Sequence, residues 1–152
     1  MIIRKHNSND LNTLVSFNCA MAEETEGKIL KPETIQAGVR ALLEDESKGF
    51  YLLTEMDDRM VGQLMITKEW SDWRNGNFWW IQSVYVLRDY RNKGVYRSLH
   101  EEIIKMGKSE EHICGIRLYV DKDNTAAQEV YKKMGMEDSH YTLFEEDWSD
   151  NG

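Results

Sequence analysis

Three strand-like runs follow one another between Phe50 and Leu87, and this stretch most narrows the choice of architecture. Phe50 to Glu55 is short and apolar, Met60 to Lys68 reads as the next strand, and Trp79 to Leu87 is rich in aromatic and β-branched residues, the side chains that fit a pleated, half-buried surface. Met56-Asp57-Asp58 turns the chain between the first two runs, and Ser71 to Asn77 forms a turn-rich connection before the third. Connections this short join antiparallel neighbours. The runs therefore predict an antiparallel meander, whose apolar faces need cover from helices.

Helical periodicity lies on both sides of the meander. Met1 to His6 reads as a short strand. Ser8 can cap a helix with Leu11, Leu14, Val15, Cys19 and Ala22 on one stripe. A polar segment, Glu23-Glu24-Thr25-Glu26-Gly27, follows it. Pro32 suits the first position of a second helix, with Ile35, Val39, Leu42 and Leu43 inward and Gly49 at its end. Beyond the meander, Val95, Leu99, Ile103 and Met106 form the stripe of a third helix. Ile116, Leu118 and Val120 alternate with polar neighbours as a strand. Asn124 can cap a last helix with Ala127, Val130, Tyr131 and Met134 inward and Gly135 as its C-terminal cap. Tyr141 to Phe144 reads as a final strand, and the tail from Asp147 is expected to fray. The order β, α, α, three strands, α, β, α, β describes an α/β fold with a mixed, largely antiparallel sheet flanked by helices on both faces. Residues 1–152 are expected to form a single domain.

Composition excludes several classes of function. The net charge of −8 opposes general nucleic-acid binding, which needs excess Lys and Arg along one face. It keeps the domain soluble and is compatible with steering a cationic substrate. Cys19 and Cys114 form no Cys-x-x-Cys pair, and the four histidines are scattered, so no metal site is expected. No apolar run could span a bilayer, and Met1 to His6 lacks the apolar stretch of a signal peptide. A cytoplasmic location with reduced thiols follows as the simplest expectation.

Against this acidic background the charge reverses locally. Arg88, Arg91, Lys93 and Arg97 face a single acid, Asp89, where a strand passes into a helix at Gly94. A helix start offers N–H groups and positive dipole to an anion, and glycine admits close approach of the backbone. This points to a phosphate site. Neither Gly-x-x-x-x-Gly-Lys-Ser/Thr nor Gly-x-Gly-x-x-Gly is present, so it is neither a nucleoside-triphosphate loop nor a dinucleotide fingerprint.

The turn Arg91-Asn92-Lys93-Gly94-Val95-Tyr96 resembles the Arg/Gln-x-x-Gly-x-Gly/Ala signature of the GCN5-related N-acetyltransferase (GNAT) family, with Tyr96 in place of the final small residue. A second run, Asn124, Ala127, Tyr131 and Gly135, matches that family's Asn-x-x-Ala-x-x-x-Tyr-x-x-x-Gly. The order of elements also matches across nearly the whole chain. The resemblance implies an acetyltransferase with acetyl-CoA as co-substrate, bound in an opening between the fourth and fifth strands. It implies that the backbone of Val84, Tyr85 and Val86 pairs with the pantetheine arm like an added strand. It implies that N–H groups of Arg91, Asn92, Lys93, Gly94, Val95 and Tyr96 hold the pyrophosphate, with charge from Arg88, Lys93 and Arg97 nearby.

By the same resemblance, Asn124 contacts the pantetheine or positions the last helix; by its own chemistry it is a helix N-cap. Tyr131 resembles the family's general acid, a phenol that stays protonated at neutral pH and donates to the departing sulfur; its plainer role is packing. Glu23, Glu24, Glu26, Asp121 and a water chain are all candidates for the base, and Gln82 and Ser83 for ordering such water. The acceptor is an amine of a small molecule or peptide that the sequence does not identify. A non-catalytic acyl-CoA sensor is the alternative reading, which Tyr96 and the unassigned base leave open. Trp70, Trp73, Trp79 and Trp80 crowd the connection before the fourth strand. They are candidates for an acceptor pocket or a homodimer interface, with at least two expected in the core.

Overall fold

The computed structural model describes residues 1–149. The chain divides into two compact units, Met1–Leu118 and Tyr119–Gly152. In the first, β1 (Ile2–Lys5) leads through a 3-10 turn (Ser8–Asp10) into α1 (Leu11–Glu26) and α2 (Pro32–Leu43). The meander is β2 (Gly49–Met56), β3 (Arg59–Ser71) and β4 (Gly76–Val86). A 3-10 turn (Arg88–Tyr90), α3 (Val95–Ser109) and β5 (Ile113–Arg117) complete the unit. The sheet runs in the order β1-β2-β3-β4-β5. All pairs are antiparallel except β4 with β5, which is parallel.

The period of two along β2 sorts the core into two layers. Phe50 and Leu52 join Val61, Leu64, Ile66, Trp79 and Ile81 beneath Val95, Leu99 and Ile103 of α3. Tyr51 and Leu53 point the other way and meet Leu14 of α1 with Val39 and Leu42 of α2. Helices thus cover both faces, as the sequence predicts. Leu14, Leu53, Leu99 and Ile103 are fully buried, and each such side chain contributes about 1.5–3 kcal/mol over exposure.

Several boundaries differ from the sequence expectation. Ser8 is not the cap of α1: Asn7 accepts from the Asn9 N–H at 2.9 Å and caps the 3-10 turn, while Asp10 stands at the cap position of α1. The acidic run Glu23 to Glu26 is the last turn of α1, closed by left-handed Gly27. Gly49 does not end α2, which stops at Leu43; it opens β2 at φ 146°. A Cβ there would lie 1.8 Å from the Ile66 carbonyl oxygen, so strand pairing demands glycine. Ser71 and Gly76 pair, which shrinks the expected connection to a tight turn. Only Trp79 of the four tryptophans is fully buried; Trp80 is half-buried, and Trp70 and Trp73 are exposed.

The second unit contains α4 (Thr125–Lys133). Its Asn124 cap accepts from the Ala127 N–H at 3.1 Å, and Gly135 follows with φ 94°. No strand forms at Tyr141 to Phe144; Tyr141, Leu143 and Phe144 are exposed there. A strand-like run makes a strand only when a neighbouring edge completes its hydrogen bonds, and none does so here among the described residues. Residues 150–152, the end of the tail expected to fray, lie outside the described residues.

Candidate active site

The parallel pairing that closes the sheet is short. β4 and β5 pair from Asn77 with Ile113 to Trp80 with Arg117, while β4 continues to Val86 with only β3 paired to it among the described residues. β4 carries an irregularity in this stretch, where its register with β3 shifts between Gln63 and Met65. Ser83 adopts φ 52° there, and its carbonyl accepts from Gln63 Nε2 at 2.9 Å. A bulge bends a strand and sharpens its twist. Gln82, the other residue expected to order water, donates to Thr67 Oγ1 at 2.7 Å.

The Leu87 N–H donates to the Val61 carbonyl at 2.8 Å, so Leu87 faces β3. With a period of two, the peptide groups of Val86 and Val84 face the side that β5 leaves open. The Val86 carbonyl confirms this by accepting from Arg91 Nε at 2.8 Å. Val84 and Val86 pack their side chains on the α3 core layer. Tyr85 points to the opposite layer, 5.2 Å from the Phe17 ring of α1.

The turn from Arg91 to Tyr96 then delivers the chain to α3. Asn92 and Gly94 both take left-handed backbone, at φ 61° and 80°. Gly94 caps the helix without any side-chain acceptor, and the first turn holds no acid. The Ser98 N–H to the Gly94 carbonyl, at 3.0 Å, is the first bond inside the helix; helix geometry gives the preceding N–H groups no intrahelical acceptor. Val95 is 2% exposed and locks this start to the sheet. Its Cγ1 lies 2.7 Å from where a Cβ on Gly62 would stand, so that glycine of β3 admits the close approach. Lys93 lies over the Tyr90 ring at 5.6 Å. Tyr96 bonds through its hydroxyl to His100 Nδ1 at 2.9 Å, one turn along α3.

Sequence reasoning missed a side-chain staple beside this cradle. Glu24, at the end of α1, accepts from the Tyr85 hydroxyl at 2.6 Å and from Arg91 Nη2 at 2.8 Å. Arg88 is 3.6 Å away. The Tyr85 hydrogen bond and then Arg91 hold the Glu24 carboxyl below the usual carboxylate range. Burial and then Glu24 push the Tyr85 phenol up. Positions 24, 85 and 91 are too far apart for any spacing rule to reveal their meeting; only the topology brings them together.

In the second unit, burial raises the Tyr131 phenol above its ordinary pKa, which keeps it protonated at neutral pH. Asp121 uses Oδ1 to accept from the Asp123 N–H at 2.8 Å. No cluster of three metal-binding side chains occurs among the described residues.

An open strand edge followed by an uncapped, acid-free helix start is an arrangement that could receive an extended arm and its phosphates. The sequence model of the acetyltransferase (GNAT) family matches residues 15–136. This chain belongs to that family. A possible acetyltransferase from Clostridium difficile 630 is 45% identical, with 96% of each chain covered and a TM-score of 0.90. Streptothricin acetyltransferase A of Bacillus subtilis (strain 168) is 30% identical over 91 residues, 60% of this chain, and the match spans only 49% of that relative's length. A predicted acetyltransferase with acetyl-CoA from Clostridium acetobutylicum shares the fold at 19% identity, a TM-score of 0.77 and 95% coverage of each chain.

Proposed function

We propose that this GNAT chain is an N-acetyltransferase that moves an acetyl group from acetyl-CoA to an amine of a small molecule or peptide by direct attack on the thioester. The observation that carries this reading is the open β4 edge at Val84 and Val86 running into the uncapped start of α3 at Gly94. The residues present fit the group: an unpaired strand edge suits an amide-bearing arm, and N–H groups with positive dipole suit a pyrophosphate.

Acetyl-CoA supplies an activated acyl group whose leaving atom is sulfur. The backbone of Val84 and Val86 aligns the arm, with Tyr85 between them paired to β3, and Arg91 to Tyr96 hold the pyrophosphate. Asn124 caps α4 and so sets the start of the helix that carries Tyr131. As the amine nitrogen bonds to the acyl carbon, the carbon–sulfur bond breaks and Tyr131 donates its proton to the sulfur. The raised phenol pKa supports that role. The amine loses its own proton to a base or to water. Glu24 is poorly suited to that task, because Tyr85 and Arg91 hold its carboxyl below the usual range and so weaken it as a base. Glu23, Glu26, Asp121 and water remain candidates. The unpaired thiols of Cys19 and Cys114 suit a reducing, cytoplasmic setting. The exposed Trp70 and Trp73 support a homodimer, which a monomeric mass by light scattering at high concentration would rule out.

Thiol release from acetyl-CoA across a panel of amines tests the reading. Acceptor-dependent release is expected. CoA binding without any such release supports the acyl-CoA sensor instead.

A further inference from the structure

Glu24 joins side chains from β4 and the following turn to the end of α1, and the reaction as described does not use it. We propose that Glu24 is a positioning residue for the cofactor: it holds Arg91, and through Arg91 it fixes which groups of β4 are left for the pantetheine arm. The proposal rests on the acetyl-CoA reading of this site.

The chain of contacts is short. Glu24 Oε1 accepts from Arg91 Nη2 at 2.8 Å, and Arg91 Nε donates to the Val86 carbonyl at 2.8 Å. That carbonyl faces the open side of β4, so Arg91 takes an acceptor that an added strand would otherwise use. Val84 then keeps both of its peptide groups for the arm, and Val86 keeps only its N–H. Glu24 Oε2 is anchored in turn by the Tyr85 hydroxyl at 2.6 Å. Arg91 also lies over the Tyr85 ring at 5.5 Å. The last turn of α1, the end of β4 and the cofactor turn are thus tied at one carboxylate.

Two physical effects of Glu24 oppose each other. As a charge, it lies among Arg88 and Arg91 and repels an incoming pyrophosphate. As a clamp, it keeps Arg91 and the strand edge ready for the cofactor, so less order remains to be lost on binding. Salt weakens the repulsion, while the hydrogen bonds act at contact. On this proposal positioning outweighs repulsion, and the sign of the affinity change separates the two effects.

The test is CoA titration and steady-state kinetics of Glu24→Gln and Tyr85→Phe at physiological salt. Both variants should weaken CoA binding and raise the acetyl-CoA KM by about three- to tenfold, with kcat and the amine KM nearly unchanged. Tyr85→Phe changes no charge at neutral pH, so its effect reports the clamp alone. Tighter CoA binding in Glu24→Gln with no change in Tyr85→Phe would make Glu24 a mere counter-charge. A collapse of kcat with loss of the acid limb of the pH profile would make it the base. Either result overturns the proposal. The Arg91 Nε–H proton, read by NMR without ligand, should exchange slowly in the parent and quickly in Glu24→Gln. If the parent binds no CoA, the acetyl-CoA reading fails and the cofactor role with it. The Nε–H signal then decides separately whether Glu24 holds Arg91, and equal exchange in both proteins refutes the clamp.

Discussion

The Tyr96 hydroxyl meets His100 Nδ1 at 2.9 Å inside α3, joining the residue that departs from the family's signature to a histidine with no exposed surface. The Tyr96 hydroxyl and His100 Nδ1 share this hydrogen bond, while Nε2 is buried without a hydrogen-bond partner among the described residues.

Burial lowers the His100 pKa, against a weaker opposing influence of Glu101. The unfolded chain therefore binds this proton more readily than the folded one, at a pKa of about 6.5. The unfolded state holds more protons in that window, so stability rises with pH there. The contribution of His100 is fully present above about pH 6.5 and is lost as pH falls towards the lowered folded value. Urea melts between pH 5 and 7.5 should show this slope, and His100→Gln should flatten it. An unchanged slope would place the titrating group elsewhere.

Tyr131→Phe should lower kcat by about 10²- to 10⁴-fold, the range for loss of a general acid, with the acetyl-CoA KM little altered. The raised phenol pKa places any alkaline limb contributed by Tyr131 above about pH 10. A variant that keeps its kcat would return Tyr131 to packing.

Gly94 tests the cradle's backbone. A Cβ there meets nothing within 4 Å, so a substitution is opposed only by φ 80°. Gly94→Ala should cost about 1–2 kcal/mol and weaken CoA binding. Gly94→Asn should restore much of both, because asparagine tolerates left-handed backbone. Thermal melts and CoA titration of the pair check this.

Arg4 grips Asp10 through both terminal nitrogens, at 2.8 and 2.9 Å, and the Asn7 N–H adds a bond at 2.7 Å. Burial alone would raise the Asp10 carboxyl, but the Arg4 hydrogen bonds and the Asn7 N–H outweigh it and the pKa is lowered. Asp10→Ala should cost about 1–3 kcal/mol in a denaturant melt. Its contribution is present above the ordinary aspartate pKa and is lost as pH falls through the lowered folded value.

Much of this was legible in the residues. The strand-like runs and short turns between Phe50 and Leu87 predict the meander, and the stripe from Val95 to Met106 predicts α3, because each is a local signal. Asn124 and Gly135 cap α4 where their spacing places them. Gly49 misleads because a glycine required by a neighbouring strand looks the same as one that ends a helix. Tyr141 to Phe144 misleads because a short apolar run does not reveal whether a partner edge exists. The Glu24 staple has no sequence signal, since three distant elements must fold before its members meet.

The most direct measurement of the central claim is a calorimetric titration of the folded protein with acetyl-CoA, repeated on Gly94→Ala. Saturable binding by the parent, clearly weakened in the variant, is the result expected of a cofactor site built from the β4 edge and the start of α3. A folded parent that takes up no acetyl-CoA, or a variant that binds as well as the parent, would contradict it.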